Sequence, residues 1–337
     1  MKDVMILAIE SSCDESACAI VKNGKEILSS VVATQIEVHE KFGGVLPEVA
    51  SRLHVEKISA VIEEAVEKAN ISVDDVDAIA YTRGPGLIGS LHVGVQAAKT
   101  LAWAYKKPLI PIHHIKAHIF ANNLITDLKF PLIALVVSGG HSEIVYMKDV
   151  DSYDILGQTQ DDAIGEAYDK VARLLDLGYP GGPKIDNLAK GIIPSYTLPK
   201  PKTQGTYDLS FSGLKSGVLQ FMERMKRNGE KVDPKILAAS FQDCALSEVM
   251  EKVMLAVNAY DVNQVLLAGG VAANSELRKR METAFEKRKE EIVLPPLWCC
   301  TDNAAMVAVA GYFAYNKQAF GNFEQSAKPS LRVNEKN

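Results

Sequence analysis

The chain has 337 residues, 47% of them hydrophobic and 23% charged, with a formal net charge of −5. That is enough material for a sizeable core in two domains or one large one. The acidic balance argues against a protein that grips nucleic acid unaided through a broad basic face. In chain order, residues 4–21 read as a β-hairpin whose turn, "ESSCDES" (10–16), is rich in Ser and acidic residues. An amphipathic helix is predicted over 52–70, where Leu53, Ile58, Val61, Ile62, Ala65 and Val66 recur at helical spacing. Residues 76–102 then read as strand, Gly-rich turn ("TRGPGLIGS", 82–90) and helix. A short buried strand between Pro108 and Pro111 leads into a helix carrying His113, His114 and His118.

The pattern then restarts. Residues 131–147 form a second hairpin with the turn "VVSGGHSE" (136–143), and 161–178 form a helix that Gly178 ends. "YPGGPKID" (179–186) reads as a rigid turn and 191–210 as a loop. Residues 263–284 repeat the order strand, Gly turn ("LLAGGVAAN", 266–274) and helix, an apolar helix covers 302–317, and disorder is expected from 326 to 337. Hairpin, helix and strand–Gly turn–helix thus occur twice, which implies an internal duplication into two α/β lobes with a cleft between them. The N-terminus is neither a signal peptide nor a membrane span. Cysteines 13, 18, 244, 299 and 300 form no CxxC pair and read as free thiols in a reducing cytoplasm. The basic runs at 278–280 and 287–289, interrupted by glutamates, read as a solvated helix face.

His114 and His118, four apart, share a helix face, while His113 diverges from His118 by about 140°. The pair is either a polar stripe or two ligands of an incomplete metal site, since a metal needs further donors. A zinc protease would carry Glu directly after the first histidine as general base, and that residue is Ile115. The Gly-rich turns admit two readings as well. Each is a plain turn by itself. Together, in a duplicated α/β chain, they mark a nucleotide cleft, with backbone N–H groups and Ser138 at 136–143 and the pair Gly269 and Gly270 facing the ligand.

"HHIKAH", "VSGGHSE", "GEAYDKVARLLDLGYPGGPKID", "SFSGLK" (210–215), "LAGGVAAN" and "CTDNAAM" (300–306) together resemble the TsaD family of tRNA N6-adenosine threonylcarbamoyltransferases, over residues 4 to 325. That family was formerly labelled an O-sialoglycoprotein endopeptidase, a label the Ile115 position opposes. The resemblance implies the actin-like ATPase fold (ASKHA, a duplicated RNase H-like unit). It implies lobes over 1–129 and 130–302, with the tail helix 303–325 packing back on the first. It implies a divalent metal, iron (Fe2+) ahead of zinc or magnesium, on His114, His118 and Asp302. By spacing alone Asp302 reads as the N-cap of the tail helix. Substrate contacts carry over to Val137, Ser138, Gly139, Gly140, His141, Asp169, Gly182, Asp186 and Asn274; on their own, Asp169 and Asp186 read as helix-surface carboxylates. The implied activity is transfer of threonylcarbamoyl from threonylcarbamoyl-AMP to adenosine 37 of tRNAs reading ANN codons, in the cytoplasm. A TsaB-like actin-fold protein and a TsaE-like ATPase are the implied partners, no nucleophile is implied, and no membrane is involved. A kinase or an ATP-binding chaperone-like partner of the same fold are the competing classes.

Overall fold

The computed structural model describes residues 3–200 and 202–333. The chain divides into two compact units, 1–128 with 301–337, and 129–300.

The first unit opens with β1 (Met5–Glu10), β2 (Glu15–Lys22) and β3 (Glu26–Thr34), an antiparallel meander in which Ile9 pairs with Cys18 and Cys18 with Val31. After the short α1 (Ile36–Glu40) comes α2 (Pro47–Ala69). Proline at its first position has no N–H to leave unsatisfied, and Asn70 ends it in the left-handed conformation. Then β4 (Ala78–Gly84), α3 (Ile88–Ala104), β5 (Leu109–His113) and α4 (His114–Phe120) follow. The sheet order is β3-β2-β1-β4-β5, with β1, β4 and β5 parallel. The first strand is apolar from Met5 to Ile9 because both faces of the sheet are covered.

The second unit repeats this plan. β6 (Leu132–Val137), β7 (Ser142–Met147) and β8 (Asp154–Gln158) form the meander. α5 (Ile164–Leu174), α6 (Gly181–Ala189), α7 (Ser212–Arg227) and α8 (Pro234–Ala259) follow. β9 (Gln264–Ala268), α9 (Ser275–Phe285), β10 (Glu291–Val293) and α10 (Leu297–Cys300) complete it. Its sheet order, β10-β9-β6-β7-β8, is the first order read from the other edge, with the same parallel and antiparallel pairings. The duplication is therefore one of topology and of hydrogen-bond pattern. The chain returns to the first unit with α11 (Ala304–Asn316), which packs on β1, β2 and β4. Gly311 allows the close approach, since a Cβ there would meet the Ala80 Cβ at 2.8 Å.

Several expectations need correction. Residues 179–186 are not simply a turn: α6 starts at Gly181, its first N–H held by the Asp169 carboxylate at 2.7 Å and Pro183 in the first turn. α7 and α8 add to the elements read from the sequence, although Leu214, Val218 and Phe221 line one buried face of α7 at helical spacing. The start of α7 is fixed at long range by Asp161, which accepts from the N–H groups of Phe211 and Ser212. In α8, half-buried Met250 and Met254 widen the apolar face and exposed Leu255 lies off it, which blurs the period. The segment 326–333 is placed, not disordered. It lies along β4 and the end of β5: Lys328 N–H donates to Arg83 O (2.9 Å), Gly86 N–H donates to Pro329 O (3.2 Å), and the His113 ring nitrogen faces Leu331 O (3.0 Å). Leu331 and Val333 are buried. Residues 334–337 lie outside the described residues.

Candidate metal and anion sites

The end of β5 delivers the histidines. His113 closes the strand, caps α4 by accepting the Ile115 N–H on its side chain, and turns its other nitrogen to the chain near Leu331. His114 and His118, one turn apart on α4, stand edge to face with ring centroids 4.7 Å apart. Asp302 joins them from the segment before α11. Its Oδ1 lies 3.0 Å from His118 Nε2 and 3.6 Å from His114 Nε2. Asn303, not Asp302, caps α11, taking the Met306 N–H at 3.0 Å, so the Asp302 carboxylate is directed to the histidines. One ligand atom from each of the three lies within 4.8 Å of the others.

Two observations test whether this group suits a cation. Both ring nitrogens of His118 are buried without a hydrogen bond of good geometry, and coordination through Nε2 would remove the cost at that atom. Behind His114, Nδ1 faces Glu10 Oε2 and Ser12 Oγ, each at 3.2 Å. Glu10 is itself held by the Thr82 hydroxyl and the Ser12 N–H, both at 2.5 Å. A carboxylate behind a histidine fixes its tautomer with the proton on Nδ1 and leaves Nε2 as the donor atom. Burial disfavours charge on His114, yet Asp302 and Glu10 outweigh it and raise its pKa to about 9. Burial likewise opposes ionisation of Glu10, but His114 holds its carboxyl below the ordinary value. The residues fit one divalent ion with open positions. Glu10 and Ser12 belong to the turn "ESSCDES", whose acidic residues suggest a cation from the sequence alone; their place behind His114, and the part played by Thr82, carried no sequence signal.

The Gly-rich turns separate into two kinds. In the first unit the turn amides are used within the protein: Leu87 N–H goes to Ser12 O at 2.8 Å, and a Cβ on Gly84 would lie 1.9 Å from Lys328 O. That turn is closed by the tail. In the second unit, Ser138 and His141 close the β6–β7 turn on each other. Gly139 and Gly140 are exposed, and a side chain at either, or at Gly270, would meet nothing within 4 Å. Gly269 differs from its neighbour: φ is +89° and a Cβ would approach Val137 O to 2.4 Å, which locks the β9 turn onto the end of β6.

The remaining expected residues gather around these turns within the second unit. Gly165 N–H binds Ser138 O, which ties the start of α5 to the β6–β7 turn. Asp169 on α5 holds the start of α6, where Gly182 is open to solvent space. Asp186 on α6 accepts the Ser275 N–H and hydroxyl at 3.0 Å each. Asn274 caps α9 through the Leu277 N–H and donates to buried Gln242, which also receives the Tyr168 hydroxyl. Both aspartates thus hold helix N-termini instead of lying idle on a helix surface. Gln242 is a further member that carried no sequence signal.

The cysteines offer no reactive thiolate. Burial raises the thiols of Cys18 and Cys299 to about 12 and shifts Cys13, Cys244 and Cys300 upward.

A duplicated five-stranded α/β unit with glycine turns after equivalent strands is the actin-like ATPase architecture. Solved structures agree: T. kodakarensis HypF superposes with a TM-score of 0.66 at 14% identity, over 93% of this chain and 48% of its own. Component A of the Acidaminococcus fermentans (R)-2-hydroxyglutaryl-CoA dehydratase superposes at 0.55 and 18%, over 95% and 100%. The fold and the two-histidine, one-carboxylate group define the class, an actin-like fold protein able to hold a metal ion. The profile of the family described as "TsaD: tRNA N6-adenosine threonylcarbamoyltransferase" matches residues 26–309. The enzymes of that name from Bacillus anthracis and Bacillus subtilis (strain 168) are each 53% identical over 334 residues, 98% of this chain and 97% and 96% of theirs. The chain belongs to the tRNA N6-adenosine threonylcarbamoyltransferase family.

Proposed function

We propose that this protein transfers the threonylcarbamoyl group of threonylcarbamoyl-AMP to the N6 amine of adenosine 37 in tRNAs reading ANN codons, directly and with metal assistance. The observation that carries the reading is the assembly of His114, His118 and Asp302, with Glu10 behind His114. Two histidines and a carboxylate are the donor set of non-haem Fe(II) sites, so we assign Fe2+, which elemental analysis tests against zinc and magnesium. The bound ion supplies a Lewis acid and template for the acyl oxygen.

The donor is a mixed carbamic–phosphoric anhydride, already activated, with AMP as a good leaving group. The adenine amine is a poor nucleophile because its lone pair is delocalised into the ring. The N6–C bond forms, the C–O bond to the phosphate breaks, and N6 loses a proton. The protein's task is to position the amine and to stabilise charge. Val137 to His141, with Gly269 and Gly270, receive the adenylate phosphate and ribose, supported by the absence of side chains at Gly139, Gly140 and Gly270. Asp169, Asp186 and Asn274 shape the same region by holding the starts of α6 and α9, where Gly182 leaves open space. The reading includes a TsaB-like actin-fold protein and a TsaE-like ATPase as partners, and a cytoplasmic location; no helix among the described residues is long and apolar enough to cross a membrane. Incubation of the protein with threonylcarbamoyl-AMP, the partner proteins and unmodified tRNA, followed by nucleoside mass spectrometry, tests it. Unmodified adenosine 37 under those conditions rejects the reading.

A further inference from the structure

The charge of the second unit is unevenly placed. Residues 190–235 hold nine lysines and arginines against four acidic residues, in a chain of net charge −5. Arg224, Lys226, Arg227, Lys231 and Lys235 are exposed at the end of α7 and just beyond it. A helix dipole favours cations in the last turn, but that does not account for exposed Lys190, Lys200 and Lys202 on the preceding loop. The basic runs farther along are neutralised internally: Arg280 pairs with Asp243 and Glu276, Arg288 with Glu290, and Lys289 with Asp261. At α7, by contrast, no ion pair engages Arg224 or Lys226 among the described residues, and Arg227 reaches Glu223 only at 4.0 Å.

Arg224 and Arg227 line a groove of about 640 Å³, with Thr197 to Pro199 on one wall and Phe221 beside the two arginines on the other. Its apolar wall is aromatic. The Phe221 ring packs 4.7 Å from the Tyr196 ring, and the Arg224 guanidinium lies over Phe221 at 5.3 Å. Guanidinium groups one turn apart, so little engaged by carboxylates, suit successive phosphates. A guanidinium held near an aromatic ring can also stack on an unstacked base.

We infer that this face of α7 binds RNA, holding the tRNA by its phosphate backbone through Arg224 and Arg227. The inference rests on the tRNA reading above and adds the surface that reading lacks. A basic face on an otherwise acidic chain attracts a polyanion to that face, which favours one orientation as well as affinity.

The test is a transfer assay with the partner proteins and an in vitro transcribed ANN-reading tRNA, run across roughly 50–300 mM KCl. For R224Q/R227Q the expected result is a KM for tRNA raised at least about tenfold. The salt slope should fall by about 1.5, the change expected when two side chains no longer neutralise phosphates. AMP affinity and kcat stay at wild-type values. R224K/R227K keeps the charges and holds KM within about threefold. If the double variant does not fold, R227Q alone carries the test, with half the change in slope. A wild-type KM and slope in the folded Gln variant overturns this surface while active wild-type enzyme leaves the transferase reading standing. Wild-type protein that leaves tRNA unmodified overturns both.

Discussion

In each unit the first strand runs into a hairpin turn, and a later parallel strand runs into a Gly-rich turn, at matching places in matching sheets. The contents of those turns differ. In the first unit the hairpin turn is acidic and wired inward, Glu10 and Ser12 to His114, and the Gly turn is closed by the 326–333 segment. In the second, the hairpin turn presents two exposed glycines, and Gly270 is open. On the function proposed above, one scaffold serves once as a cation site and once as a place for backbone to meet an anion. The same contrast governs buried carboxylates. Glu10, with His114 beside it, is held low, whereas Glu143, at the start of β7 with no cation beside it, is pushed up to about 7 by burial.

The sharpest way to break the comparison is to remove the cation site alone. His118→Ala should lose bound metal and reduce transfer by about 10³-fold or more, given that metal assistance contributes several kcal/mol and each 1.36 kcal/mol is tenfold. The cavity should cost about 2 kcal/mol of stability, leaving a folded protein with normal AMP affinity. Elemental analysis showing wild-type metal content in this variant would remove the cluster from the mechanism.

Gly269 and Gly270 sharpen the second half. Gly270→Val should weaken AMP binding at least about tenfold, or 1.4 kcal/mol, with stability little changed, because the new side chain occupies open space. Gly269→Val should do the reverse in kind: its left-handed φ and the 2.4 Å approach to Val137 O predict a loss of about 2 kcal/mol or more in fold stability. Calorimetry and urea unfolding on the pair separate the two effects; equal behaviour would mean Gly270 does not border a ligand.

How far the contrast was legible depends on distance along the chain. Hairpins, Gly turns and the repeated order could be read because local patterning sets them. His114 and His118 could be read as a pair because four residues make one helical face. Asp302 reaches them only through the packing of α11, so spacing offered no sign of it and the family resemblance did. Glu10 stands behind His114 across 104 residues of chain, and no local pattern reports such a contact. The 326–333 segment has no hydrophobic period, because backbone hydrogen bonds to Arg83 and Gly86 hold it.

Glu143 gives a pH-dependent prediction. In the folded protein its carboxyl stays protonated up to about 7, while in the unfolded chain it ionises near its ordinary 4.5. Unfolding therefore releases a proton between those values, and stability falls as pH rises through that window and levels off above it. The span corresponds to roughly 3 kcal/mol at 1.36 kcal/mol per unit. Glu143→Gln should be more stable than wild type at pH 8, approach it near pH 5, and flatten the curve of urea midpoint against pH. A wild-type slope in the Gln variant would assign the titration to another group.

The smallest expected effect is also the one that separates direct transfer from an acyl-enzyme. A cysteine nucleophile needs a thiolate near neutral pH, normally supplied by a histidine, a cation or a helix N-terminus. Arg278 near Cys300 and Lys200 near Cys244 pull those two thiols down, but burial outweighs both cations. Burial leads the upward shift of every one, and around Cys13 the neighbouring Asp14 and Asp302 carboxylates push it further up. At pH 7.5 the thiols of Cys18 and Cys299, near 12, are protonated in all but a negligible fraction. Replacing all five with Ser or Ala, in protein that still folds, should change the transfer rate by less than about threefold, with any loss explained by packing at buried Cys18, Cys299 and Cys300. Alkylation by iodoacetamide at pH 7.5 should be slow in the native protein and complete after denaturation. A threonylcarbamoyl adduct on any cysteine in intact-protein mass spectrometry, or turnover lost with a single thiol while metal and AMP still bind, would replace direct transfer with a two-step route.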